Sequence, residues 1–210
     1  MSASTATGLH GTARLVLDVL GTETAKLLVV GGIGSGKSTA LEAVRRSLRD
    51  SGRSVVSRVP EHDDDGAAIV IDDAHLLTDT DVRRLTELAD DPDRTIVVAI
   101  EARDHDSRLN SLGAALELER PRITLGPLTT GDVARTLADS SGHPPPIAVL
   151  EAVAAATGGI PLLVSAVGAA GHPLSAEAIS HAAGNALNAR LRRLPPRDLE
   201  ALLIASLSSD

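Results

Sequence analysis

The chain has 210 residues, 43% of them hydrophobic and 23% charged, which fits one moderate globular domain or a core with a small appendage. It has no cysteine, which excludes disulfides and thiolate metal sites, and no Phe, Tyr or Trp, which removes the rings that single-strand nucleic-acid readers stack on bases. A net charge of −8 without a strong basic cluster argues against direct nucleic-acid binding by this chain; no apolar run approaches the ~18 residues of a membrane span, and Met1–Thr7 lacks the basic and apolar regions of a secretory signal, so a cytoplasmic protein with no membrane partner is expected.

Residues 1–8 are small and polar and are expected to be disordered. From Leu9 to Leu20 apolar residues recur at helical spacing (Leu15, Val16, Val19, Leu20), and Gly21 ends the pattern. Lys26–Val30 reads as a short buried strand. A glycine-rich loop follows, and residues 36–50 read as a helix stopped by Ser51-Gly52. Ser54–Pro60 alternates and is β-branched, so it reads as a second strand. The acidic loop Glu61–Gly66 lacks the ligand pattern of a calcium loop. Ala67–Ile71 is a third, wholly apolar strand. Six residues are too few for an ordinary parallel crossover, so the second strand is either short with an extended return or antiparallel at the sheet edge.

Residues 78–90 read as a helix capped by Thr78 or Asp79, with Val82, Leu85, Leu88 and Ala89 on one face. Arg94–Ile100 is a fourth strand, Ser107–Glu119 a helix and Arg122–Leu125 a fifth strand. Such alternation predicts an α/β fold with a parallel sheet of about five strands, covered on both faces. After Gly126-Pro127 only alanine-rich helices follow, over about 129–140, 146–157, 160–170, 175–193 and 195–207, punctuated by Pro144-Pro145-Pro146, Gly158-Gly159 and Gly171–Pro173. The expected organisation is a nucleotide-binding core at 1–126, a helical lid subdomain at 127–193 and the truncated start of a further helical segment at 194–210. The amphipathic pattern runs to the last residues, which suggests a fragment of something longer.

The chemistry centres on Gly31-Gly32-Ile33-Gly34-Ser35-Gly36-Lys37-Ser38, which satisfies G-x-x-x-x-G-K-[ST], the Walker A pattern, at every fixed position. Strand, glycine loop and helix N-terminus occur in the order that the pattern needs. Glycines let backbone N–H groups turn inward around a phosphate, and the helix start adds donors and a positive dipole end. Gly31, Gly32, Ile33, Gly34, Ser35, Gly36, Lys37, Ser38 and the adjoining Thr39 are therefore the expected nucleotide-binding residues. Lys37 is expected to reach the β- and γ-phosphates and the Ser38 hydroxyl to ligate Mg²⁺.

A second element is Ile69-Val70-Ile71-Asp72-Asp73-Ala74-His75. An apolar strand ending in carboxylates places Asp72 where open α/β sheets bind ligands. Beside Ser38 it is expected to hold Mg²⁺ through water, as a Walker B acid, while Asp73 orients the attacking water. His75 either faces the γ-phosphate region or caps the next turn. Arg103, after the fourth strand, is expected to sense the γ-phosphate. Pro161, after Gly158-Gly159-Ile160, fits the first turn of a helix. The other histidines are scattered without ligand spacing.

These segments, with Ile123-Thr124-Leu125-Gly126-Pro127-Leu128 and Gly159-Ile160-Pro161 in order, resemble the signal-transduction ATPases with numerous domains (STAND), and in particular the ATPase module of large LuxR-type, MalT-like bacterial transcription regulators. The likeness covers roughly residues 25–207. It implies an AAA+-like P-loop NTPase fold, with ATP or ADP and Mg²⁺ held between core and helical lid. It also implies that Pro161 neighbours the nucleotide and that Asp73 and Arg103, with Lys37, carry slow hydrolysis in a transcription-regulating switch. The family's Gly-Arg-x-x-Glu segment, which helps to hold adenine, has no counterpart in Gly8–Arg14, and there is no DNA-binding helix-turn-helix in the chain. The alternatives are a ring-forming AAA+ ATPase that self-associates on nucleotide, a small-molecule kinase, and a binding module with a vestigial site.

Overall fold

The computed structural model describes residues 11–20, 25–61, 66–101, 107–117, 122–171 and 173–192. The N-terminal tail, much of the acidic loop at 61–66, Arg103 and the helix expected over 195–207 lie outside the described residues. Two compact units are present, residues 1–128 and 129–210.

The first unit is α/β. Helix α1 spans Gly11–Leu20, β1 Lys26–Gly31, α2 Lys37–Asp50, β2 Val55–Val56, β3 Ala68–Ile71, α3 Asp79–Ala89, β4 Ile96–Ile100, α4 Ser107–Leu116 and β5 Ile123–Leu125. A 3₁₀ turn, Ala74–Leu76, follows β3. The strands form one sheet in the order β2-β3-β4-β1-β5, and every pairing is parallel. The apolar strands bury both faces because the pleat sends alternate side chains to opposite sides. Leu27, Val29, Val70, Val97 and Ala99 pack with Val16, Leu20, Leu41 and Val44 of α1 and α2. Leu28, Val30, Ile69, Ile71, Ile96 and Val98 pack with Val82, Leu85, Leu109 and Leu112 of α3 and α4. Both cores are aliphatic throughout, so the sheet is held by many small contacts in place of large rings.

Two local expectations are refined. The second strand shrinks from Ser54–Pro60 to Val55–Val56, and it is parallel, with Val55 beside Ala68 and Val56 beside Ile69. Ending the strand at Val56 frees residues 57–60 to join the return, which lengthens the connection towards what a parallel edge pair needs. In α1 the buried side is Ala13, Val16 and Leu20, whereas Leu15 is 46% exposed.

The second unit is helical: α5 Thr130–Ser141, α6 Ile147–Thr157, α7 Pro161–Ala169 and α8 Ala176–Leu191. Val133, Leu137, Val153, Leu163, Val164, Val167 and Ile179 are buried within it. Gly168 is where α7 comes close to α5: a Cβ there would lie 2.7 Å from Ser140 Oγ. Among the described residues no helix is long and apolar enough to cross a membrane.

Candidate nucleotide-binding site

The loop between β1 and α2 is built from the glycines outward. Gly34 (φ 77°) and Gly36 (φ 91°) are left-handed, a conformation that costs other L-residues steric strain. They turn the chain tightly enough for Ser35 N–H to donate to Gly32 O at 3.3 Å. Gly31 admits the close passage of the loop, since a Cβ there would collide with Ser35 Oγ and lie 3.2 Å from Leu125 Cβ.

The start of α2 is open. Its N-cap is Gly36, and no side chain caps it. By contrast α3, α5 and α8 begin on Thr78, Thr129 and Ser175, whose hydroxyls accept the orphan N–H groups. The first backbone bond at the α2 start runs from Ala40 N to Gly36 O, 2.9 Å, so the N–H groups of Lys37, Ser38 and Thr39 precede the intrahelical ladder. Ser38 and Thr39 are exposed there, as are Gly32 and Ile33 at the loop tip. Lys37 folds back over the loop: Nζ donates to Gly31 O at 2.7 Å and to Gly32 O at 3.0 Å. The Ser35 hydroxyl is buried and has no hydrogen-bond partner among the described residues.

The two acids lie on the same edge of the sheet. Ile71 pairs with Val98, and Val98 with Leu28. Asp72, one residue past Ile71, therefore leaves β3 at the C-terminal edge from which the glycine loop also emerges. Asp72 is half-buried, and its Oδ1 accepts the N–H of Asp73 at 2.9 Å. Asp73 is exposed and left-handed (φ 49°, ψ 46°), the one such non-glycine among the described residues. Aspartate tolerates that region better than most residues. The bend turns the chain from β3 into the 3₁₀ turn that carries His75.

His75 does not cap the next helix; Thr78 does, in a reciprocal capping box with Asp81. One ligating atom each from Asp73, His75 and Glu101 lie within 4.8 Å of one another. Glu101 follows β4, and the sequence carried no signal for its meeting with His75. Arg108, in the first turn of α4, was likewise missed: its NH1 donates to Asp79 Oδ1 at 2.8 Å and to Leu77 O at 3.4 Å, bracing the segment that follows the acids. Pro161 is the first residue of α7, after Gly158 and Gly159 in left-handed conformation. It belongs to the second unit, whereas the loop and both acids belong to the first.

No protein-family model matches the chain, and no curated protein matches it. Among solved structures it is similar to domain III of the Thermotoga maritima replication initiation protein DnaA. The TM-score is 0.50 at 16% identity, over 78% of this chain and 82% of that one. At that identity the likeness is one of fold. It bears out the expected α/β fold, with a five-stranded parallel sheet and helices.

Proposed function

We propose that the chain is a nucleotide-binding switch module that holds ATP or ADP with Mg²⁺ at residues 31–39 and hydrolyses ATP slowly. The observation that carries this reading is the uncapped start of α2 beneath a glycine loop, with the Lys37 ammonium closed over Gly31 and Gly32. Open N–H groups, a helix dipole and a lysine together favour a polyphosphate anion.

The donor set also suits the metal. A hydroxyl and a carboxylate are the hard oxygen ligands that Mg²⁺ takes, and the orphaned Ser35 hydroxyl marks a loop whose polar capacity is not used up among the described residues. Ser38 and Asp72 would hold the ion, which supplies neutralisation of charge on the transferring phosphoryl group. Lys37 binds the β- and γ-phosphates, and the loop N–H groups orient them. Asp73 accepts a hydrogen bond from the attacking water and aligns it.

The finer parts of the reading rest on the likeness to the STAND ATPases of LuxR-type regulators. They are Arg103 as γ-phosphate sensor, Pro161 as nucleotide neighbour, a switch role and a place in transcription control. A switch requires that ATP and ADP bind two conformational states with different affinities. Titration calorimetry with each nucleotide, read beside limited proteolysis of each complex, tests it. Binding of neither nucleotide at millimolar concentration refutes the nucleotide reading, and identical cleavage patterns in both complexes refute the switch. Since the AAA+ fold also serves ring-forming ATPases, light scattering with and without ATP separates a monomeric switch from a ring.

A further inference from the structure

The C-terminal ends of β3 and β4 bring together a group of donors of which the proposed hydrolysis uses only one. Asp73 and His75 come from the bend and 3₁₀ turn after β3, and Glu101 is the residue after β4. The two strands are hydrogen-bonded neighbours, with Ile71 opposite Val98. That adjacency places one ligating atom from each of the three side chains within 4.8 Å of the others. Asp73 is exposed, and His75 and Glu101 are half-buried. Nδ1 of His75 is shielded from solvent and has no hydrogen-bond partner among the described residues, so the polar capacity of that atom is unmet by them.

We propose that Asp73, His75 and Glu101 form a site for a first-row transition-metal dication of the Zn²⁺ type, separate from the Mg²⁺ position at Ser38 and Asp72. An imidazole nitrogen with two carboxylates is a donor set for zinc, manganese or iron, whereas Mg²⁺ and Ca²⁺ prefer oxygen throughout. Two carboxylates balance the charge of a dication. Zinc sits about 2.0–2.2 Å from such donors, so the three atoms need only draw inward, a movement open to an exposed aspartate by side-chain rotation. Three protein ligands leave a further coordination position for water.

The site has a consequence for turnover, and that part rests on the nucleotide reading. A metal ion that engages the Asp73 carboxylate withdraws it from the attacking water, so the ion slows hydrolysis while the phosphate loop still binds nucleotide. Metal binding itself does not depend on the nucleotide reading.

The test is titration calorimetry of the whole chain with ZnCl₂ in the absence of nucleotide, on wild type, His75→Ala and Glu101→Gln. Zinc should bind one per chain, and each substitution should weaken it by about tenfold or more, as loss of a ligand does at least as much as loss of its supporting partners. Cobalt absorption gives a second readout: the visible bands of a bound ion should appear in wild type and vanish in His75→Ala. Glu101→Gln is close to isosteric, so it decides the matter should His75→Ala fail to fold. Equal zinc affinity in wild type and both variants, or no saturable binding to wild type, overturns the site whatever ATP does. Zinc that binds at the site but leaves ATP turnover unchanged overturns the inhibitory role alone.

Discussion

Nζ of Lys37 lies 2.7 Å from the carbonyl oxygen of Gly31, so the first residue of α2 reaches back to the last residue of β1 across the loop between them. This contact holds a cation, only 7% exposed, in the mouth of the loop. The carbonyls keep the ammonium hydrogen-bonded without neutralising it, which leaves its charge available to an anion.

The acids should separate binding from chemistry. Asp72→Ala should remove most of the Mg²⁺-dependent gain in ATP affinity. Asp73→Asn should leave ATP affinity within about twofold and lower turnover by about 10² or more, the usual contribution of a positioned general base. Asparagine also accepts the left-handed backbone at this position, so the loss belongs to the carboxylate. Calorimetry with and without Mg²⁺, beside a phosphate-release assay, reads both; equal turnover in Asp73→Asn refutes its role.

Gly36→Ala should cost about 1–2 kcal/mol in stability, because φ 91° is a left-handed conformation unfavourable to a Cβ. Relief of that strain also tilts the first turn of α2, so ATP affinity should fall with stability. Denaturant unfolding and calorimetry on the same preparation check the pair.

Thr78→Ala should cost about 1 kcal/mol, the worth of a lost N-cap, since Thr78 Oγ1 accepts from Asp81 N and Asp81 Oδ2 accepts from Thr78 N–H. ATP affinity should not change. Hydrogen exchange should show the loss of protection in the first turn of α3.

In the helical unit, Gly168→Val should destabilise by about 1–3 kcal/mol through overpacking, because even a Cβ meets Ser140 Oγ at 2.7 Å and Ser140 Cβ at 3.3 Å. Because the chain has two compact units, a single two-state unfolding curve is not assumed; exchange protection in α5 and α7 is the direct readout.

What the sequence made legible was local. The phosphate loop could be read because its glycines and lysine stand at fixed spacing, and the acids because they end an apolar run. The cap of α3 stayed ambiguous between Thr78 and Asp79 until Asp81 proved to be the reciprocal partner of Thr78. The length of β2 was not legible, because alternation over Ser54–Pro60 says nothing of how much of it finds a neighbour, and β3 is only four residues long. The meeting of His75 with Glu101, and of Arg108 with Asp79, depends on which strands and helices lie side by side, and no spacing along one chain encodes that. The apolar spacing of α1 includes Leu15, which is 46% exposed, whereas Val16 and Leu20 are buried; such spacing marks a helix without fixing how far round it the core extends.

The central claim, that the glycine loop and α2 bind nucleotide phosphates, is tested most directly by calorimetric titration of ATP into wild type and Lys37→Ala. Charge-assisted hydrogen bonds contribute about 1.5–3 kcal/mol, so the variant should bind ATP about tenfold to a hundredfold more weakly while its circular dichroism spectrum stays that of wild type. Equal affinity in the two folded proteins, or no ATP binding by wild type, would contradict the account.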